Sequence, residues 1–283
     1  MEFTRRYFDP SRRVRVPQPP GASAASPPYL YTDEIILAIN VALATKRPLL
    51  IAGPPGSGKS TLARDIAAVK GWRYLHQVIT SRSQVDDLLA GFDALRRLND
   101  AQAQKLLPDT AYVEPGIFWW AFDPESARRR GTAVGDGHTE LGERLIAPRD
   151  PSEGSGLDAV VLLDEIDKAD PDVPNDLLEP LDLKSFQARY VEKVIEARGE
   201  HLLTVITTNG ERELPPAFVR RCVFLNLSQM DPDRLVRVAE VHCGPDRSGE
   251  LYRTVAEWLV RWRETARARG LREPGTAEYL DTI

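Results

Sequence analysis

The stretch of sequence that decides the fold is Gly53-Pro54-Pro55-Gly56-Ser57-Gly58-Lys59-Ser60, with Thr61 next. Its spacing is that of a loop whose glycines let backbone N–H groups turn inward around phosphates. Lys59 would reach the β- and γ-phosphates of a nucleotide, and Ser60 would place its hydroxyl on Mg²⁺. An apolar run precedes the motif (residues 48–52) and a helical pattern follows it (residues 60–69), as the motif requires. We therefore predict that residues 53–61 bind the phosphates of a nucleotide.

Such a loop needs an acid at the end of a second strand. The apolar run at residues 159–163 ends in Asp164 and Glu165. We predict that Asp164 holds Mg²⁺ through water and that Glu165 polarises the attacking water as a general base. Taken alone, the run is equally well explained as a buried strand whose two acids cap the next helix. The phosphate-binding loop upstream favours the catalytic interpretation.

Three more polar residues further along the chain are candidates for the site. Asn209 comes after the apolar run at residues 202–208, where an amide can orient water against the γ-phosphate. Asparagine is also a common turn residue, so this signal is weak alone. Arg220 and Arg221 follow a Pro-Pro turn and a short helical stretch. An arginine here can stabilise transition-state charge on the nucleotide of a neighbouring subunit, or it can form a surface ion pair.

The chain as a whole indicates an α/β fold. Apolar or β-branched runs alternate with helical patterns, which predicts a five-stranded parallel sheet with helices on both faces. The C-terminal part is predicted to be a small α-helical lid. Its apolar face would carry Leu251, Val255, Trp258, Leu259 and Trp262, and its solvated side would carry Arg261, Arg263, Arg267 and Arg269. The predicted strands are residues 48–52, 74–79, 159–163, 202–207 and 223–227.

Composition and apolar pattern divide the chain into three regions. These are a leader or arm rich in Pro, Ala and Ser, an α/β core that contains an insertion, and a short helical lid. We expect residues 10–27 to be a disordered leader rather than an arm on a neighbouring subunit. In the insertion we predict one helical segment near residues 85–106 and a mobile loop at residues 131–156. Trp119 and Trp120 are core residues or an exposed partner-binding patch, and we favour core. The boundaries are 1–28, 29–229 with the insertion at about 84–158, and 230–283.

Composition narrows the function classes. The chain has 283 residues and a formal net charge of −5, which disfavours non-specific nucleic-acid binding. The sequence contains no run of about 18 apolar residues, so we do not expect a membrane span. The N-terminus also lacks the pattern of a secretory signal. Two isolated cysteines and no metal-ligand spacing fit a reducing compartment, so we expect a cytoplasmic protein.

The order of these parts resembles the AAA+ superfamily and, more narrowly, its MoxR-like branch. The resemblance covers residues 29–283. The segments that carry it are RPLLIAG (residues 47–53), YVEPGIFWWAFDP (residues 112–124), LDEIDKADPDVPNDLLEPLDLKSF (residues 163–186) and LPPAFVRRCVF (residues 214–224).

The resemblance implies ATP with Mg²⁺, hydrolysed to ADP and phosphate at a site between subunits of a ring, usually a hexamer. It implies that Asn209 is the sensor at the strand tip. Arg221 best matches the arginine that acts on the neighbouring subunit, with Arg220 as the second candidate. It also implies a chaperone-like remodeller or activator of a partner, commonly a von Willebrand A-domain protein. The chain departs from the pattern in the lid, where only Arg272 is offered as a sensor arginine, in a poorly matching stretch.

Two other hypotheses stay open. One is a regulatory nucleotide switch that hydrolyses slowly and signals in a bacterial defence or stress system through the Trp119-Trp120 insertion. The other is a nucleic-acid motor or a GTP-using restriction subunit, which the acidic balance disfavours. No guanine-specific motif is evident, so the choice of ATP over GTP rests on the resemblance.

Overall fold

A computed structural model describes residues 6–14, 28–132 and 149–283 of the chain. The helices are α1 Asp33–Thr45, α2 Lys59–Lys70, α3 Val85–Leu89, α4 Ala94–Gln102, α5 Ile117–Phe122, α6 Pro124–Arg128, α7 Asp172–Asp176, α8 Leu178–Leu183, α9 Pro216–Val219, α10 Pro232–Cys243, α11 Leu251–Ala268 and α12 Thr276–Thr282. The strands are β1 Leu49–Ala52, β2 Arg73–Val78, β3 Ala90–Phe92, β4 Val113–Pro115, β5 Ala159–Asp164, β6 Ser185–Ala188, β7 Lys193–Glu196, β8 Leu202–Thr208 and β9 Val223–Asn226.

Five strands form one sheet in the order β2-β5-β8-β1-β9, and every neighbouring pair is parallel. The predicted α/β fold, with its five-stranded parallel sheet and its helical C-terminal region, is therefore confirmed. β1 lies between β8 and β9, with Leu49 opposite both Val205 and Val223. The carboxyl ends of β1, β5 and β8 consequently meet at one edge of the sheet, which is where open α/β sheets bind ligands.

Alternation along the strands builds a core on each face of the sheet. In β1, Leu49 and Ile51 face α1 and α2, whereas Leu50 faces the opposite side. That opposite side contains the buried side chains of Trp119 and Trp120, which are 0 % and 2 % exposed. The core interpretation of the tryptophan pair is confirmed, and the exposed partner-binding patch is wrong. Burying an aromatic side chain of this size stabilises the fold by about 1.5–3 kcal/mol.

The N-terminal segment corrects one expectation. Residues 10–14 are not a disordered leader, because they lie against α1 and α2. Phe8 is 1 % exposed, and Asn40 accepts hydrogen bonds from the backbone N–H groups of Tyr7 and Phe8. Arg13 pairs with Asp65 of α2 at 2.5 Å. The remaining residues of that prediction, 15–27, lie outside the described residues.

The insertion corrects a second expectation, because residues 85–106 do not form one helix. α3 ends at Leu89, the chain then forms β3, and Asp93 caps the separate helix α4 by accepting from the backbone N–H of Arg96 at 2.9 Å. β3 pairs antiparallel with β4, a strand that lies about twenty residues further along the chain. The helical pattern could not reveal this long-range pairing. Of the predicted loop at residues 131–156, residues 133–148 lie outside the described part of the chain.

The C-terminal helices α10, α11 and α12 pack on one another around Leu235, Leu259 and Tyr279. The predicted apolar face of α11 is confirmed for Leu259, which is buried, and for Val255, which packs against this core, but it is wrong for its other three residues, among them Leu251. Trp258 and Trp262 are exposed. The inward face instead carries Tyr252, Ala256, Leu259, Arg263 and Ala266.

Candidate functional site

A cavity of about 360 Å³ opens where the carboxyl ends of the strands meet the helical lid. Its floor is the phosphate-binding loop and the acids after β5, and its walls are the segment before α1 and the helices α10 and α12. We call this side of the sheet, with residues 53–61, Asp164, Glu165 and Asn209, the nucleotide edge. On the side of the sheet, the cavity is lined by Pro55, Gly56, Gly58, Lys59, Ser60, Thr61, Asp164, Glu165 and Asn209.

The loop adopts a conformation that its glycines permit. Gly56 and Gly58 have φ angles of 74° and 89°, in the left-handed region that side chains with a Cβ rarely adopt. A Cβ on Gly56 would also lie 2.7 Å from the Cα of Gly275 in the lid. Gly53, Pro54 and Ser57 are not among the lining residues, and the buried Ser57 hydroxyl has no hydrogen-bond partner among the described residues. The loop therefore has its predicted place, with one buried polar atom unsatisfied.

Helix α2 begins at Lys59 and points its N-terminus at the cavity. Gly58 at its N-cap supplies no side-chain hydrogen bond, so the first backbone N–H groups have no capping side chain. Such a helix end attracts an anion, because its unsatisfied N–H groups and the helix dipole both favour negative charge. This helix end therefore has the chemistry that the predicted phosphate site needs.

Lys59 is 7 % exposed and ties the loop to β8. Its ammonium donates to the carbonyl oxygens of Gly53 at 2.7 Å and Pro54 at 3.0 Å, and to the Asn209 Oδ1 at 2.8 Å. Burial lowers the pKa of Lys59, while the negative charges of the nearby carboxylates oppose that change. The sequence predicted both residues as site members, and their direct bond is a feature of the tertiary structure.

Asp164 stands beside Ser60 and is held in its ionised form. The Ser60 hydroxyl donates to Oδ2 at 2.7 Å, the Thr207 hydroxyl donates to Oδ1, and the His76 Nε2 lies 3.4 Å from Oδ2. Burial alone would raise the pKa of Asp164, but the hydrogen bonds from His76, Thr207 and Ser60 outweigh it and lower the pKa to about 2. Sequence reasoning missed His76 and Thr207. The available signal was a polar residue near the end of each strand.

Glu165 occupies an unusual backbone position. Its φ angle is 64°, a left-handed conformation that costs a glutamate about 1–3 kcal/mol. Its backbone N–H donates to the Thr207 hydroxyl at 2.9 Å, which secures the turn. Its carboxylate accepts from the Asn209 Nδ2 at 3.2 Å and from the Lys168 Nζ at 2.6 Å. The hydrogen bonds therefore run from Lys59 through Asn209 to Glu165 and Lys168, a residue that sequence reasoning also missed.

The two arginines of the predicted pair lie away from this cavity. They precede β9, whose first residue is opposite Leu49, so they lie at the amino ends of β1 and β9. We call this side, with Arg47, Arg220 and Arg221, the arginine edge. Arg221 pairs with Asp182 at 3.3 Å. Arg220 is exposed, and its side chain has no partner among the described residues.

The lid supplies no described arginine to the cavity. Arg272 is exposed and pairs with Glu278 at 2.8 Å, outside the lining. The lid residues that face the cavity are instead uncharged or imidazole side chains, namely Met230, Val238, Val241, His242, Thr276, Ala277 and Leu280.

The nucleotide edge fits a magnesium nucleotide. Ser60 and Asp164 present adjacent oxygen donors, the chemistry that Mg²⁺ prefers when substrate phosphates complete its coordination. Within the described residues no group of three or more His, Cys, Asp or Glu could hold a metal ion by itself. The bound nucleotide would bring the phosphoryl group under attack, and its Mg²⁺ would neutralise phosphate charge.

The sheet order, the loop before α2 and the two acids after β5 together define a P-loop nucleotide-binding protein of the AAA+ superfamily. Residues 48–222 match the family model described as AAA domain (dynein-related subfamily), so the chain belongs to this family. Domains of this family generally hydrolyse ATP. No curated protein matches the chain. In the described ranges no helix is long and apolar enough to cross a membrane.

Proposed function

We propose that this protein is a Mg²⁺-dependent ATPase in which Glu165 is the general base for water attack on the γ-phosphate. The observation that carries the proposal is the position of that carboxylate. It lines the same cavity as Lys59, Ser60 and Asp164, and Asn209 bonds both to Glu165 and to Lys59. The base and the phosphate-binding cation are therefore held at a set separation by one amide. This is the preorganisation that in-line phosphoryl transfer requires.

Each residue of the nucleotide edge then has a distinct task. Lys59 and the N-terminus of α2 bind phosphate oxygens, while Ser60 and Asp164 hold the metal ion. Asp164 performs this task as an anion, because its hydrogen bonds keep its pKa low. Glu165 accepts the proton of the attacking water. Asn209 orients the carboxylate and senses whether the γ-phosphate is present.

We further propose a MoxR-like protein that assembles into a ring and acts as a chaperone-like remodeller or activator of a partner protein. The exposed Arg220 supports assembly, because a cation at the arginine edge can serve a nucleotide only on another subunit. Arg220 is better placed than Arg221, whose guanidinium is engaged by Asp182. That exposed ion pair is worth only about 0–1 kcal/mol, so Arg221 stays the second candidate. The proposed partner class, a von Willebrand A-domain protein, follows from the resemblance.

A slow-hydrolysing nucleotide switch is the second candidate function, and one contact favours it. Lys168 donates to the Glu165 Oε2 at 2.6 Å, so the base is engaged by a cation as well as by Asn209. A carboxylate engaged by a cation accepts a proton less readily, so turnover would be slow while the phosphate-binding residues stay unchanged. The buried tryptophan pair removes the exposed patch through which such a switch was expected to signal.

The test is the ATPase rate per subunit across protein concentration, with the mass measured by light scattering in the same buffers. Wild type is compared with Glu165→Gln, and Glu213→Gln serves as a control at an exposed glutamate. The proposal expects a rate that rises with a ring-sized mass, vanishes in Glu165→Gln and persists in Glu213→Gln. A monomer that binds ATP but hardly turns over would instead support the switch, and faster turnover in Lys168→Met would strengthen that conclusion.

A further inference from the structure

Arg47 makes an unusual set of contacts at the arginine edge. Its guanidinium donates to three successive carbonyl oxygens, those of Arg220, Arg221 and Cys222. The Nε bond to Arg221 measures 2.9 Å and the Nη2 bond to Cys222 measures 3.0 Å. These carbonyls follow the end of α9, where helical hydrogen bonding has stopped. One side chain thus holds the backbone of the segment that carries both candidate arginines.

Arg47 is also close in sequence to the phosphate-binding loop. Arg47 lies two residues before β1, and the phosphate-binding loop begins directly after β1 at Gly53. The backbone N–H of Val223 donates to the carbonyl of Pro48 at 2.8 Å, so the arginine segment and β1 are joined beside Arg47 as well. A short, buried strand therefore connects the loop that binds phosphate in one subunit to the segment that would face the next subunit.

We infer that Arg47 is a positioning residue that sets the direction in which Arg220 leaves the domain, and so controls hydrolysis in the neighbouring subunit. The inference rests on the proposed function, because it needs an arginine that acts between subunits. Arg47 itself touches neither nucleotide nor metal, since it lies at the opposite edge of the sheet from the cavity. Its effect is exerted through the carbonyls of residues 220–222 on the Arg220 side chain.

The geometry of the contact requires arginine. A planar guanidinium presents five N–H donors in a rigid fork, which can span consecutive carbonyls from one position. A lysine ammonium keeps the charge but is a compact point donor, so it cannot hold all three carbonyls at these separations. Arg47→Lys should therefore reproduce much of the defect of Arg47→Met, with less risk to folding.

The first measurement compares kcat and the ATP dissociation constant of the assembled protein. Displacing a catalytic group by about 1 Å can cost roughly 100-fold in rate, so we expect Arg47→Met to lower kcat by about 10- to 100-fold. The ATP dissociation constant of isolated subunits should change less than about twofold, because the nucleotide edge is untouched. Lys46→Met is the matched control: it removes a positive charge from the adjacent exposed residue and should keep full turnover.

A merely structural cap would also reduce activity if it loosened the fold, so subunit mixing is the decisive test. Arg47→Met has an intact nucleotide edge and a misdirected arginine, whereas Glu165→Gln has the reverse. Mixed before assembly in equal amounts, they should recover activity, because random mixing places about half of the intact sites, or about one quarter of all sites, beside an intact arginine. The reference mixture pairs Glu165→Gln with whichever of Arg220→Ala and Arg221→Ala removes turnover.

Recovery in both mixtures supports the role of Arg47. Recovery in the reference mixture alone overturns it and leaves the proposed function standing, since Arg47 would then act inside its own subunit. Absence of recovery in both mixtures shows that each site is complete within one chain, which overturns the inference together with the proposed inter-subunit arginine. Arg47→Lys is run in parallel, so that a folding defect of Arg47→Met leaves the test intact.

Discussion

The nucleotide edge and the arginine edge differ in how many of their polar side chains find a partner within the same chain. At the nucleotide edge, Lys59, Asn209 and Glu165 form a continuous hydrogen-bonded series, and Ser60 bonds to Asp164. At the arginine edge the backbone is held as firmly, by Arg47, yet the Arg220 side chain extends into solvent with no described partner.

This difference indicates what kind of binding partner each edge can accept. A buried polar group without a partner costs about 1–3 kcal/mol, so side chains inside the cavity must satisfy one another or a ligand. An exposed guanidinium has no such requirement because water solvates it. The nucleotide edge therefore has the features of a site for a small anion. The arginine edge leaves a cation exposed, as the proposed role of Arg220 between subunits requires.

The largest expected effect separates the two candidate arginines. Arg220→Ala should lower kcat by about 1,000-fold or more, because a trans-acting arginine stabilises charge only in the transition state. The ATP dissociation constant should stay within about twofold of wild type. Steady-state turnover and equilibrium nucleotide binding measure the two quantities, and Arg212→Ala is the exposed control. A loss confined to Arg221→Ala would transfer the role to Arg221, as the resemblance implies.

The next effect tests the nucleotide edge alone. Lys59→Ala should weaken ATP binding by about 100-fold, because it removes charge-assisted hydrogen bonds to phosphate worth roughly 3 kcal/mol. It also removes the bond that holds Asn209. Calorimetric or fluorescence titration gives the affinity, with Lys105→Ala as an exposed control. Unchanged affinity in Lys59→Ala would refute the assignment of the phosphate-binding loop.

The third prediction, with a smaller expected effect, tests the hydrogen bonds of Thr207 at the nucleotide edge. Thr207→Val removes the hydroxyl that bonds both Asp164 and the backbone N–H of Glu165. We expect about tenfold slower turnover and about 1–3 kcal/mol less free energy of unfolding. Thr204→Val in the same strand is a close control, because the buried Thr204 hydroxyl bonds to nothing within the part of the chain that the structure describes. Equal effects of the two substitutions would show that the Thr207 bonds are unimportant.

The smallest effect concerns pH. The pKa of Asp164 is about 2 in the folded protein, against an ordinary value of 3.8, so the folded state binds this proton less readily than the unfolded state. The resulting stabilisation is present above pH 3.8 and is lost as the pH falls towards 2. At pH 3 wild type should have lost about 1 kcal/mol of it. Urea unfolding of wild type and Asp164→Asn at pH 7 and pH 3 measures the difference, and parallel losses would contradict the low pKa.

Much of the site could be predicted from sequence because its residues are local. The loop at residues 53–61 and the pair Asp164-Glu165 are each contiguous, and each comes directly after an apolar run. Parallel strands bring such strand ends together, so a linear pattern suffices. His76, Thr207 and Lys168 were missed, because single polar residues gain significance only from neighbours on other elements. The relation of Arg47 to residues 220–222 spans more than 170 positions and has no sequence pattern.

The lid illustrates the same limit. Trp258 and Arg263 exchange their expected environments, and Arg263 is buried because its guanidinium donates to the carbonyl oxygens of Pro274 and Met230. The spacing of apolar residues in α11 is compatible with either of two faces turned inward. Arg263 can be buried only because carbonyl oxygens from distant segments accept its hydrogen bonds. A charge can leave water when partners replace its solvation, and the sequence of one helix does not show whether partners exist.

The sequence by itself determined the parallel α/β sheet, the position of the phosphate-binding loop and the acids at the end of a second strand, because these depend on local patterns of apolar residues and glycine. The tertiary structure alone decided which side chains bond across elements, that the tryptophan pair is core, that residues 6–14 lie on the domain, and that Arg220 rather than Arg221 lacks a described partner. Those features depend on distances between segments far apart in the chain, which packing sets and local propensity does not.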